Sequence, residues 1–179
     1  MLPQAIVYPL ALATAAFVGW RAAVGGRPAR EVAFRVLLTL YVGWIVSMTL
    51  FPLPLDPAFI RSEALRVGFH WNMVPFRTIA AQAGHLPSWQ SIRQLGGNVL
   101  VFVPFGVLLP LAAPSLGRFW RMLLAGLAFS VAIELAQLAV SVGLGYTYRV
   151  SDIDDVILNV AGVLLGYAAY RLGRRRATR

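Results

Sequence analysis

A chain of 179 residues suffices for one domain, and 59% of this one is apolar while only 13% is charged, with a mean hydropathy of +0.70. Soluble domains carry roughly 25% charged residues, so this composition excludes a globule wholly covered by water and leaves lipid as the surrounding of much of the surface. The net charge of +9 comes from sixteen basic residues, all arginine. They sit in short connections and at the C-terminus, between apolar runs, which is the pattern of membrane-protein loops and not of a nucleic-acid-binding face. Cysteine is absent, which excludes disulfides, thiol catalysis and thiolate metal sites.

A helix crosses a bilayer with about 20 apolar residues, and five candidates follow in chain order. The first is Pro3–Trp20. It lacks a positive region before its apolar run, unlike a secretory signal, and reads as a retained helix that starts outside. Residues 1–31 thus form an N-terminal helix with a cytoplasmic loop. The second is Val32–Leu53, with Arg35 placed to snorkel. A long loop, 54–97, follows. It holds Trp71 and Trp89, a residue type that favours the headgroup level. The spacing of Trp89, Ile92 and Leu95 predicts a short helix lying in the interface, making the loop a partly embedded cap.

The third candidate is Asn98–Ala113, interrupted by Pro104 and Pro110, which bend it. The fourth is Phe119–Gly143, apolar except for Glu134 and Gln137. The fifth spans about Asp152–Leu172. Residues 32–173 form the main transmembrane domain and 174–179 a basic cytoplasmic tail that serves as an orientation signal with lipid-headgroup contact. Eleven arginines fall on one side of this arrangement and Arg61, Arg66, Arg77, Arg93 and Arg149 on the other. The richer side is cytoplasmic. The expected fold is therefore an all-α polytopic bundle of about five spans, N-terminus out and C-terminus in.

Ionisable groups inside a bilayer cost about 2.5–3.5 kcal/mol on insertion scales, so Glu134 is conspicuous. At about 1.5 Å per residue it lies roughly 20 Å above Arg121, in the outer half of the membrane. Gly126, Ser130, Glu134, Gln137 and Ser141 form one narrow helical stripe. Asp152, Asp155, Asn159, Gly162 and Gly166 form a second, whose G-x-x-x-G lets a neighbouring backbone approach closely. A short connection makes the last two helices antiparallel neighbours. Counting from their outer ends pairs Glu134 with Asn159 and Gln137 with Asp155 in depth, with Arg149 and Asn98 nearby.

Plainer roles account for part of this set. Ser151 reads as an N-cap, with Asp152 and Asp154 in the first turn favoured by the helix dipole. Glu134 and Gln137 can act as interhelical glue. Capping explains Asp155 poorly and Asn159 not at all.

The ordered residues Asn72-Met-Val-Pro75-Phe76, Asn98-Val-Leu-Val-Phe102-Val-Pro104-Phe-Gly106-Val-Leu-Leu-Pro110, Glu134-Leu-Ala-Gln137, Arg149, Asp152-Ile-Asp154-Asp155 and Asn159-Val-Ala-Gly162 resemble the VanZ-like family of bacterial membrane proteins. The resemblance covers about residues 40–172. The family takes its name from a member that gives low-level resistance to teicoplanin, a lipoglycopeptide. It implies a multi-pass protein of the bacterial plasma membrane and the cell envelope, and it carries over no catalytic residue.

Three functions suit these residues. The first is binding of an amphiphile at the outer leaflet, by Asn72, Asn98, Glu134, Gln137, Arg149, Asp152, Asp155 and Asn159. Its partners would be membrane lipids and a lipoglycopeptide or lipid-linked cell-wall precursor, with no cofactor, metal or nucleic acid. The second is an intramembrane enzyme acting on a lipid phosphate, with Mg²⁺ on Glu134, Asp152 and Asp155 and phosphate on Arg149. The third is a transporter or proton path, which five spans without an inverted repeat would need an oligomer to complete.

Overall fold

The computed structural model describes residues 1–177; Thr178 and Arg179, the end of the expected basic tail, lie outside the described residues. Among the described residues seven α-helices run in the order α1 (Val7–Val24), α2 (Ala29–Leu50), α3 (Pro57–Val67), α4 (Arg77–Ala83), α5 (Trp89–Ala112), α6 (Phe119–Leu144) and α7 (Ile153–Ala177). Five of them, α1 with the 3-10 turn before it, α2, α5, α6 and α7, are long and apolar enough to cross a membrane. Large apolar side chains such as Leu10, Leu100, Leu124 and Leu165 point outward from four of these helices. That face suits lipid, which needs no polar covering. The bundle has a basic end, where α1, α5 and α7 finish and α2 and α6 begin, and an opposite end closed by α3 and α4.

Small residues set the helix spacing. On α1 the buried positions include Ala11, Ala15, Gly19 and Ala22, a small-residue stripe that lets α2 approach closely. A Cβ on Gly43 of α2 would meet Ala11. The most extensive contact is between α5 and α7. A Cβ on Gly162 would collide with the Val99 carbonyl oxygen, one on Gly166 with that of Val103, and one on Gly106 with that of Val163. The G-x-x-x-G of the last helix therefore packs against α5, backbone to backbone. Around this seam Ile45, Phe102, Phe105, Leu109, Met122, Ile133 and Val163 form the core, with Phe105 stacked on Phe129 at 4.8 Å between centroids.

Two expectations need correcting. Trp89, Ile92 and Leu95 do not belong to a separate interfacial helix. They form the first turns of α5, a continuous helix of 24 residues. Ser88 starts it by accepting the backbone N–H of Ser91 at 3.2 Å, and the Gly96-Gly97 pair is carried through because neighbouring turns hydrogen-bond across it. The second correction concerns the register of α6 and α7. Gly145, at φ 78, ends α6 in a left-handed turn, with Tyr146 N bonded to Ser141 O and Gly145 N to Val142 O, the Schellman pattern. The chain then doubles back along α6 instead of crossing directly. The Ser141 hydroxyl accepts from Tyr148 N at 3.2 Å and donates to the Arg149 carbonyl at 3.2 Å. α7 consequently begins beside Glu134, about ten residues below the top of α6.

The 54–97 segment is tied to that returning connection. Thr147 N donates to Gly68 O at 2.9 Å, and His70 N to the Thr147 hydroxyl at 2.5 Å. Trp71–Asn72 (β1) pairs in parallel with Ser151–Asp152 (β2), in the register Trp71 with Ser151 and Asn72 with Asp152. At the other edge Leu2 and Leu53 exchange two backbone hydrogen bonds.

Candidate functional site

The early start of α7 decides which polar residues meet. Asp152, not Ser151, is its N-cap: its Oδ1 accepts Asp154 N at 2.9 Å, as capping carboxylates do. The same carboxylate accepts from Asn72 Nδ2 at 2.8 Å and the Thr78 hydroxyl at 2.5 Å. Asn72 also receives Val74 N on its Oδ1 at 3.1 Å, so it shapes its own loop while holding the helix start. Ser151 donates instead to the Glu134 carbonyl at 3.1 Å.

Asp154 is fully buried and caps a helix other than its own. Its oxygens accept the backbone N–H groups of Phe76, Thr78 and Ile79 at 2.5, 2.7 and 3.0 Å. These are donors at the start of α4, which no intrahelical carbonyl can satisfy. Phe76, at φ 66, turns the chain so that its N–H joins the other two.

The α6 stripe finds a partner at every member. Gly126 faces Val163. Ser130 Oγ accepts from Asn159 Nδ2 at 2.9 Å. Glu134 Oε2 accepts Asp152 N at 2.9 Å. Gln137 Nε2 donates to the Thr49 carbonyl of α2 at 3.2 Å. Ser141 holds the connection. The pairing of Glu134 with Asn159 and of Gln137 with Asp155 is thus not made. Each α7 partner lies about one turn lower on α6, because the connection descends before α7 begins. Asp155 instead accepts from Asn98 Nδ2 of α5 at 2.5 Å.

A cavity of about 810 Å³ opens among these groups at the α3–α4 end. Asn98, Glu134, Gln137, Arg149, Asp152, Asp155 and Asn159 all line it, with Arg93, Thr49 and Thr78. Asn72 is not among the lining residues and reaches the site through its hydrogen bond to the Asp152 carboxylate. Arg149 and Arg93 are exposed. Arg149 lies over the Tyr148 ring at 5.6 Å, and Tyr148 donates its hydroxyl to the Pro52 carbonyl. Two buried acceptors of the lining residues, Gln137 Oε1 and Asn159 Oδ1, have no hydrogen-bond partner among the described residues. Among the described residues no group of three or more His, Asp and Glu side chains is arranged to hold a metal ion.

Arg93 and Thr78 were missed in the sequence. Arg93, Gln94, Gly97, Asn98 and Val101 follow a helical stripe that becomes visible once the helix is begun at Ser88. Thr78 lies just inside a seven-residue helix reached through a loop, and no periodicity marks it.

Five apolar spans around a polar cavity at one end define an integral membrane helix bundle with a ligand-sized recess. The profile of the VanZ/LLP1 family matches residues 38–174, and the chain belongs to that family. It is 27% identical over 145 residues to Protein VanZ of Enterococcus faecium, an alignment covering 81% of this chain and 78% of that one. No solved structure matches the chain. The family match starts within α2, so α1 lies outside it.

Proposed function

We propose that this protein sits in the bacterial plasma membrane and holds an amphiphile in the cavity, from the outer leaflet, contributing to teicoplanin-type resistance or to envelope homeostasis. The observation that carries this reading is the cavity itself, lined by Asn98, Glu134, Gln137, Arg149, Asp152, Asp155 and Asn159. Ligand pockets are of about 300–1,000 Å³ and use a few placed polar groups for orientation. Polar and irregular backbone at membrane depth is tolerated where it is buried or lines such a space. The arginine distribution supports the outward orientation of that end. Family membership supports the resistance context.

Growth under teicoplanin of cells producing the protein, with folded protein quantified in parallel, tests it. Glu134→Gln and Asp155→Asn keep hydrogen-bonding capacity and remove the charge. Wild type is expected to protect and both variants to lose protection at unchanged abundance. Equal protection by wild type and both variants would make these carboxylates structural.

A further inference from the structure

Polarity is distributed unevenly within the cavity. Its lining includes the Glu134 and Asp155 carboxylates, and two further lining residues, Gln137 and Asn159, each hold a buried side-chain oxygen with no hydrogen-bond partner among the described residues. Asn159 is only 4% exposed, and a buried oxygen left without a donor is costly. Neither Glu134 nor Asp155 makes a salt bridge among the described residues; the ion pairs that form belong to Glu31 and Glu63. The donors already bound to the two carboxylates carry no charge: Glu134 receives the backbone N–H of Asp152 and Asp155 the side-chain amide of Asn98. The cations that line the cavity, Arg93 and Arg149, are exposed, and Arg149 Nη2 donates to the Phe51 carbonyl at 3.4 Å.

We infer that the headgroup filling this cavity is zwitterionic, with a primary ammonium seated on Glu134, Asp155, Gln137 and Asn159 and a phosphate held by Arg93 and Arg149, the chemistry of an aminophospholipid. This rests on the amphiphile-binding reading above and names its ligand class. A primary ammonium supplies three N–H donors and a positive charge, so it answers the bare carboxylates and the orphaned carbonyl oxygens together. A quaternary ammonium supplies the charge without donors. A glycerol headgroup supplies donors without the charge. Exposed guanidinium groups suit a phosphate by charge and fork geometry, and the acyl chains would lie along the apolar outer faces of the spans.

The test uses the full-length chain, purified in detergent and offered phosphatidylethanolamine, phosphatidylcholine or phosphatidylglycerol of matched acyl chains, with bound lipid measured by native mass spectrometry. Phosphatidylethanolamine is expected to bind about tenfold more tightly than either other lipid, the scale of one charge-assisted hydrogen bond. Glu134→Gln and Asp155→Asn should each abolish that preference, and Arg93→Gln, at an exposed position, should weaken phosphatidylethanolamine while leaving the melting temperature unchanged. Equal binding of the three lipids, or a preference that survives both carboxylate variants, would overturn the inference. Protection against teicoplanin that depends on the carboxylates, without any ethanolamine preference, would overturn it alone and leave the amphiphile-binding reading standing.

Discussion

The Asp154 carboxylate receives the backbone N–H of Thr78 at 2.7 Å, joining the first turn of the last spanning helix directly to the short helix α4. Phe76 and Ile79 donate to the same carboxylate, so one buried side chain fixes the start of α4. Thr78 in turn donates its hydroxyl to Asp152. The two aspartates therefore divide the labour: one holds the loop, the other holds the start of α7.

Removing the carboxylate should be expensive. Asp154→Ala leaves three backbone donors unsatisfied and is expected to destabilise the protein by about 2–4 kcal/mol. Asp154→Asn retains one acceptor oxygen and should lie between it and wild type. Thermal unfolding of the purified chain in detergent measures both, and a melting temperature unchanged in Asp154→Ala would refute the capping role.

Glycines of the α5–α7 seam and Gly143 of α6 carry opposite forecasts. Gly162→Ala and Gly166→Ala drive a methyl group into the carbonyls of Val99 and Val103 and should each destabilise by about 1–3 kcal/mol, as overpacking does. Gly143→Ala, also helical, meets nothing within 4 Å and should stabilise by roughly 0.5–1 kcal/mol through helix propensity. Denaturation in mixed detergent micelles reads the signs directly, and a destabilising Gly143→Ala would contradict the open surroundings of that site.

Orientation can be tested with single cysteines, since the chain has none of its own. Ser62 lies in α3, near the cavity end, and Ser115 in the 3-10 turn between α5 and α6, at the basic end. An impermeant thiol reagent on intact cells is expected to label Ser62→Cys and spare Ser115→Cys. The reverse pattern would place the cavity toward the cytoplasm.

The spans were legible because apolar length is a strong one-dimensional signal: α2, α6 and α7 lie within a few residues of the stretches read from sequence. The two polar stripes were legible for the same reason, since a helix puts i, i+4 and i+7 on one face whatever it packs against. The register between them was not. Nothing local says that residues 145–150 fold back along α6, because Ser141, which pins them, reads as one more member of a stripe. The role of Asp154 escaped similarly. An acid in a first helical turn already has a sufficient local explanation, and its true partners are 75 to 78 residues away.

Those separations bear on how the chain is made. Asn72 and Thr78 meet Asp152, and Asn98 meets Asp155, only across 57 to 80 residues of sequence. During synthesis from the N-terminus, α1, α2, α5 and α6 are complete before any of these acceptors exists. Until residues 152–155 arrive, the first turn of α4 has no carboxylate to bind and Asn98 has no partner. The recess is therefore the last part of the molecule to mature, and a released chain ending before residue 151 would carry four spanning helices without it.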